Sequence, residues 1–214
     1  FMGRKVISLW EKYYDEKFPI ANGDGFIILG LDSLTKEELD AELKLALAAT
    51  KKFKAADAVI LDANSEEAKK IWTCREALLL AIQKSTPKMD EVDICVPINH
   101  IPDVLHRVDE LEQEVGMRIP NFGHAGDGNL HIYLCSDAMS DEEFEQKSHY
   151  VITELYKTAK ALDGNMSGEH GIGYACKDWF EDFYGHDYTE LLRKIKHVFD
   201  PNYVLNPDKI SPME

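Results

Sequence analysis

The chain has 214 residues, 44% of them hydrophobic, enough to bury the core of one domain or two small subdomains. Its formal net charge of -15 excludes a nucleic-acid backbone as partner, because phosphate binding needs clustered Lys and Arg, and disfavours docking on anionic lipid. No stretch approaches the length of a membrane span and no apolar signal core opens the chain. A cytoplasmic protein is therefore expected, with any contact to the inner membrane made through partners.

Residues 3–17 carry Val6, Ile7, Trp10, Tyr13 and Tyr14 at helical spacing. After Pro19 and the turn Asn22-Gly23-Asp24-Gly25, the apolar run 26–31 reads as a buried strand. A helix is expected over 33–53, opened by Ser33 or Thr35, with Glu38 completing a capping box on Thr35. Residues 58–61 read as a second strand and Glu66–Lys84 as a second long helix. Next come a strand over 92–98, a helix over Ile101–Val115, strands over 118–122 and 130–135, and a helix over 141–162 entered through Ser140 and closed by Gly164.

That order resembles two split βαβ units side by side, an α+β fold with subdomains at roughly 20–90 and 91–165. Residues 177–198 read as one aromatic-rich helix, within a C-terminal segment 174–214. The two prolines of 199–210 then force an extended tail. Cys74, Cys95, Cys135 and Cys176 show no C-x-x-C spacing, so free thiols in a reducing compartment are expected.

Two glycine-rich turns carry the chemistry. The first is Pro120-Asn121-Phe122-Gly123-His124-Ala125-Gly126-Asp127-Gly128-Asn129-Leu130-His131; the second is Ser167-Gly168-Glu169-His170-Gly171-Ile172-Gly173. Asp127-Gly128 between extended runs signals a tight reversal, with Asp127 capping its own turn. Folding the two strands back would bring His124 and His131 to ligand separation, roughly 3–4 Å between nitrogens. Two imidazoles and the carboxylate of Glu169 leave an open coordination position, which suits a catalytic divalent ion; Zn, Mn and Fe(II) fit equally.

Adjacent residues of an extended turn face opposite ways, so His170 would point away from the ion and be free to accept a proton. Glycines at 168, 171 and 173 let backbone approach a flat ligand closely. A dinucleotide-binding reading of Gly168-Glu169-His170-Gly171-Ile172-Gly173 is disfavoured, since a helix and Gly164-Asn165-Met166-Ser167 precede it rather than a strand.

With Ile71-Trp72-Thr73-Cys74-Arg75-Glu76 and the stretch from Asp200-Pro201-Asn202 to Ile210, these motifs resemble the C-terminal half of the FAD-linked 2-hydroxy-acid oxidoreductases. That family includes the glycolate oxidase FAD subunit, D-lactate dehydrogenase and D-2-hydroxyglutarate dehydrogenase. The resemblance implies a substrate cap built on a duplicated ferredoxin-like fold. His124, His131 and Glu169 would hold the metal and His170 would be the base. Arg75 would grip the carboxylate of a small 2-hydroxy acid, while Asn206 and Gly171 would lie near the flavin. FAD itself would be held mainly by an N-terminal domain that these residues do not contain. The chain is therefore expected to be a fragment or a separate subunit, inactive without that domain in cis or in trans. Electrons would pass to an acceptor such as an electron-transfer flavoprotein or an iron–sulfur subunit.

Trp72 reads as a core residue. The acidic stretch 88–93 stands where members that read a second substrate carboxylate carry a Lys, which favours D-lactate or glycolate as substrate. Tyr133 replaces an Asn of several relatives, and Asp208 stands where Gly is usual. The rival expectation is a metal-binding or regulatory module that uses the same ligands without redox chemistry.

Overall fold

A computed structural model describes residues 1–20, 22–55 and 57–209; Ile210 and residues 211–214 lie outside the described part. The chain divides into two compact units, Phe1–Thr86 and Pro87–Glu214.

In the first unit a short strand β1 (Met2–Gly3) leads into helix α1 (Arg4–Tyr14) and pairs antiparallel with β2 (Gly25–Phe26). Helix α2 covers Lys36–Lys52 and α3 covers Glu66–Lys84. The capping box that opens α2 forms as expected: Thr35 Oγ1 accepts from the Glu38 N–H and Glu38 accepts from the Thr35 N–H, both at 3.2 Å. Helices α1 and α3 pack together. Val6, Ile7 and Trp10 are buried on α1, and Cys74, Leu78, Ala81 and Ile82 on α3, at the spacing that lines one helical face. Burying a residue such as Leu78 is worth about 1.5–3 kcal/mol.

Three expectations fail in this unit. The strand expected over 26–31 shrinks to Gly25–Phe26, and residues 58–61 form no strand. Ile27, Leu29, Val59 and Ile60 are exposed, as is Trp72 at 48%. A short apolar run becomes a strand only where a ladder partner and a covering face exist, and within this unit β2 finds only Met2–Gly3. Helix α2 correspondingly buries none of its residues. The α+β class holds, whereas the first split βαβ unit is not formed among the described residues.

Through residue 161 the second unit keeps the expected order of elements, although the strands expected over 92–98 and 118–122 run over Lys88–Cys95 and Asn121–His124. Strand β3 (Lys88–Cys95) is followed by α4 (Ile101–Val115), β4 (Asn121–His124), β5 (Asn129–Ser136) and α5 (Asp141–Ala161). Strand β5 lies between β3 and β4, antiparallel to both. After α5 the chain returns beside β3, where Cys95 and Asn165 exchange backbone hydrogen bonds of 3.1 and 2.7 Å. The order from that return is Asn165, β3, β5, β4. This is the order a split βαβ unit gives, with its last strand reduced to a single bridge.

Local signals set the helix ends here: Pro102 in the first turn of α4, Gly116 at φ 68 closing it, and the Ser140 side chain accepting from the Glu143 N–H at 3.1 Å to open α5. The pleat separates two faces. Val92, Ile94, Leu130 and Ile132 share one, all fully buried. Glu91, Asp93, Phe122, His131 and Tyr133 share the other, because Asp93 and Phe122 both stand opposite His131, and Glu91 stands opposite Tyr133.

The single helix expected over 177–198 is two: α6 (Lys177–Tyr184) and α7 (His186–Phe199), broken at Gly185 with φ 89 and ψ 161. The tail curls instead of extending. Asp200 accepts from the backbone N–H groups of Val204 and Leu205 at 3.0 Å each and from Lys196 Nζ at 2.9 Å. Asn206 and Asp208 take left-handed φ values of 44 and 58, which Asn and Asp tolerate better than other side chains. The four cysteines are free thiols. Burial pushes Cys74 up to about 12 and Cys135 up to about 11, which keeps both protonated and unreactive near neutrality.

Candidate metal and catalytic site

The site is built on the β4–β5 hairpin. His124 pairs with Asn129 across the ladder, so it shares a face with Asn129 and, two residues on, with His131. The reversal is held by Asp127, whose Oδ1 accepts from the Asn129 N–H at 3.2 Å, the turn-serving role expected of it. Gly128 adopts φ 85, and a Cβ there would run into the Val96 carbonyl oxygen. Gly128→Ala is therefore expected to cost about 3 kcal/mol and to lower Tm by roughly 6–12 °C. Gly126→Ala, with nothing within 4 Å of its Cβ, should leave Tm unchanged in the same thermal melt. Equal melting of the two variants would contradict this turn.

The hairpin, strand β3 and the 167–173 loop converge. Glu169 Oε1 lies 3.1 Å from His131 Nε2 and 3.6 Å from His124 Nε2. One ligand atom from each of His124, His131 and Glu169 falls within 4.8 Å of the others. His170 is brought in as well: its ring stacks on His131 at 5.1 Å between centroids, and its Nε2 is 3.8 Å from Glu169 Oε1. The expectation that His170 points away from this cluster is corrected, because the segment is not extended: the N–H groups of Gly168, Glu169 and His170 all turn to the same Asp93 oxygen.

A second group, Glu91, His131 and His170, meets the same distance condition and shares His131. Glu91 Oε1 is 3.6 Å from His170 Nδ1 and accepts from Tyr133 Oη at 2.9 Å. Glu91, Asp93 and Asn129 escaped the sequence reading. Alternation of acidic with apolar residues along Glu91-Val92-Asp93-Ile94 was the available signal, but which face meets the hairpin depends on register.

The donor set fits a divalent cation. Burial holds the His131 imidazole below its ordinary pKa, against the raising influence of Asp93, Glu169 and Glu91, so the ring is neutral as a ligand must be. Its Nδ1 is buried with no hydrogen-bond partner and lies 3.8 Å from both Glu91 Oε1 and Asp93 Oδ1. A proton on Nδ1 facing carboxylates leaves the Nε2 lone pair toward His124 and Glu169. His124, Glu169 and His170 are about half exposed, which leaves one side open to a small molecule.

Asp93 is buried beneath the loop. Burial alone would raise its pKa, but the backbone N–H groups of His170 and Glu169 and the Asn129 amide hold it below the usual carboxylate range. Among the remaining expected residues, Arg75 lies on α3 in the first unit, partly exposed. Gly171 and Asn206 are both exposed, outside the helices and strands, with left-handed φ. Gly168 is needed for packing, since a Cβ would meet the Asn129 amide and Asp93.

Fold and site define an α+β domain with a His, His, Glu donor group and a third histidine stacked beside it. The chain belongs to the family of FAD linked oxidases, C-terminal domain, matched over residues 1–210. It is 34% identical to a D-lactate dehydrogenase of Anaerostipes hadrus over 98% of this chain and 45% of that protein. It is 32% identical to a D-2-hydroxyglutarate dehydrogenase of Stutzerimonas stutzeri over 71% of this chain and 33% of that protein. It is also 30% identical to the glycolate oxidase subunit GlcD of Bacillus subtilis over 69% of this chain and 31% of that protein. The chain thus spans less than half the length of these relatives. No helix among the described residues is long and apolar enough to cross a membrane.

Proposed function

We propose that this chain is the substrate- and metal-binding half of an FAD-dependent 2-hydroxy-acid dehydrogenase that oxidises D-lactate or glycolate to the 2-oxo acid. The observation that carries the reading is the convergence of His124, His131, Glu169 and His170 at the β4–β5 hairpin. When bound, a divalent cation supplies Lewis-acid polarisation of the substrate 2-hydroxyl and FAD supplies the hydride acceptor. His124, His131 and Glu169 would hold the cation. His170 takes the hydroxyl proton as the hydride leaves C2, so the alcohol loses two electrons and two hydrogens. Gly171 and Asn206 would lie toward the flavin, through a FAD-binding domain in cis or in trans. An electron-transfer flavoprotein or an iron–sulfur subunit would accept the electrons, in the cytoplasm. The family's duplicated ferredoxin-like plan would extend to the first unit once its two apolar runs gain a ladder partner.

Arg75 would bind the substrate carboxylate through its planar fork. In the complete flavoenzyme, Arg75→Ala is expected to lower kcat/KM by about 10- to 100-fold, the effect of removing one charge-assisted hydrogen bond. An unchanged kcat/KM would remove Arg75 from the site. The choice of a monocarboxylate rests on Glu91, whose carboxylate flanks His170 and would repel a second carboxylate on the substrate. Steady-state kinetics on D-lactate, glycolate and D-2-hydroxyglutarate test the reading. Turnover of none of them would overturn it, and a preference for D-2-hydroxyglutarate would overturn the substrate class.

A further inference from the structure

Asp93 joins every element of the site without facing its open side. Its Oδ2 accepts from the backbone N–H groups of Gly168, Glu169 and His170 at 3.0, 2.9 and 2.8 Å, and from Ser167 Oγ at 3.1 Å. The Ser167 oxygen in turn accepts from the Gly171 N–H at 2.8 Å, which closes the loop on itself. The other carboxylate oxygen, Oδ1, accepts from the Asn129 side-chain amide and lies 3.8 Å from His131 Nδ1. One residue, only 8% exposed, therefore ties the 167–171 loop to the hairpin, at sequence separations of 36 residues from Asn129 and up to 77 from the loop.

Three consecutive amide N–H groups aimed at one oxygen form a concave anion site. Only an acceptor without hydrogens fills it well: an amide in place of the carboxylate removes the charge and presents an NH2 group to donors on one side. The grip acts on backbone, so it fixes where the Cα atoms of Glu169 and His170 stand while leaving both side chains free to face the open side.

We propose that Asp93 is the positioning residue of this site, setting Glu169 and His170 in register with His124 and His131 through the loop backbone. The proposal rests on the metal-centre reading above for its consequence, and on the hydrogen bonds alone for its cause. Its own hydrogen bonds go to the loop amides, to Ser167 and to Asn129.

The test uses the full chain and two readouts, amide hydrogen exchange at residues 168–170 and calorimetric titration with Zn2+ alone. In the native chain these amides should be protected. Asp93→Asn should expose them while protection in β5 and α5 stays, and should weaken Zn2+ binding by about 10- to 100-fold, the usual effect of losing a residue that orients ligands. Ser167→Ala removes one of the donors and keeps the charge. It should weaken Zn2+ binding by about 3- to 10-fold with the same melting temperature, and serves if Asp93→Asn does not fold.

Retained protection at 168–170 together with native Zn2+ affinity in whichever variant folds would overturn the proposal. If the native chain binds no Zn2+, the metal-centre reading falls. Exchange at 168–170 then decides the role of Asp93 by itself.

Discussion

Replacing His170 by Ala in the complete flavoenzyme should lower kcat by about 10²- to 10⁴-fold, the range that a positioned general base contributes. The geometry explains why no neighbour would take over. His124 and His131 turn their Nε2 atoms to Glu169, and Asp93 is committed to the loop amides. Glu91 lies 3.6 Å away but accepts from Tyr133 Oη. Substrate affinity should change little, because the imidazole contributes to proton removal more than to ground-state binding. Rapid-mixing measurement of flavin reduction isolates the step, and the flavin content of the variant should match the native enzyme. Flavin reduction at the native rate would show that His170 is not the base.

Loss of the cation is the second large effect expected. Apparent binding energies of about 10–16 kcal/mol for structural zinc sites of four ligands give roughly 2.5–4 kcal/mol for each. His124→Ala should thus weaken Zn2+ binding by roughly 10²- to 10³-fold, and His131→Ala at least as much. The two donor groups that share His131 predict different patterns. If His124 and Glu169 are ligands, His124→Ala is severe while Glu91→Gln has little effect; if Glu91 and His170 are, the order reverses. His106→Ala, on the exposed face of α4, serves as a control that should leave binding unchanged. Native affinity in both His124→Ala and His131→Ala would remove the hairpin from metal binding altogether. A chain that binds the cation tightly yet supports no oxidation when joined to its flavin domain would favour a regulatory module instead.

The legible and illegible parts of this protein differ by range of interaction. Glu66–Lys84 and Ile101–Val115 begin and end where expected, because caps, first-turn prolines and left-handed glycines act within one helical turn. The Asp127-Gly128 reversal was legible for the same reason, and it carried His124 and His131 to one face. The break at Gly185 was missed because an isolated glycine inside a helical pattern is tolerated more often than not, and only its φ of 89 reveals the stop.

The amino-acid sequence by itself determined the helices up to Ala161, the hairpin and the identity of the candidate ligands, since each depends on residues a few positions apart. The tertiary structure alone decided the rest. It denied the strands expected at 26–31 and 58–61 a ladder within their unit, and it placed His170 against His131 rather than away from it. It also turned Glu91 and Asp93 toward the hairpin through the register of β3 on β5. Strand pairing and the grip of Asp93 on amides up to 77 residues distant depend on which backbone groups meet across the fold. Register selects those partners, and a shift of one residue would turn Asp93 to the opposite face.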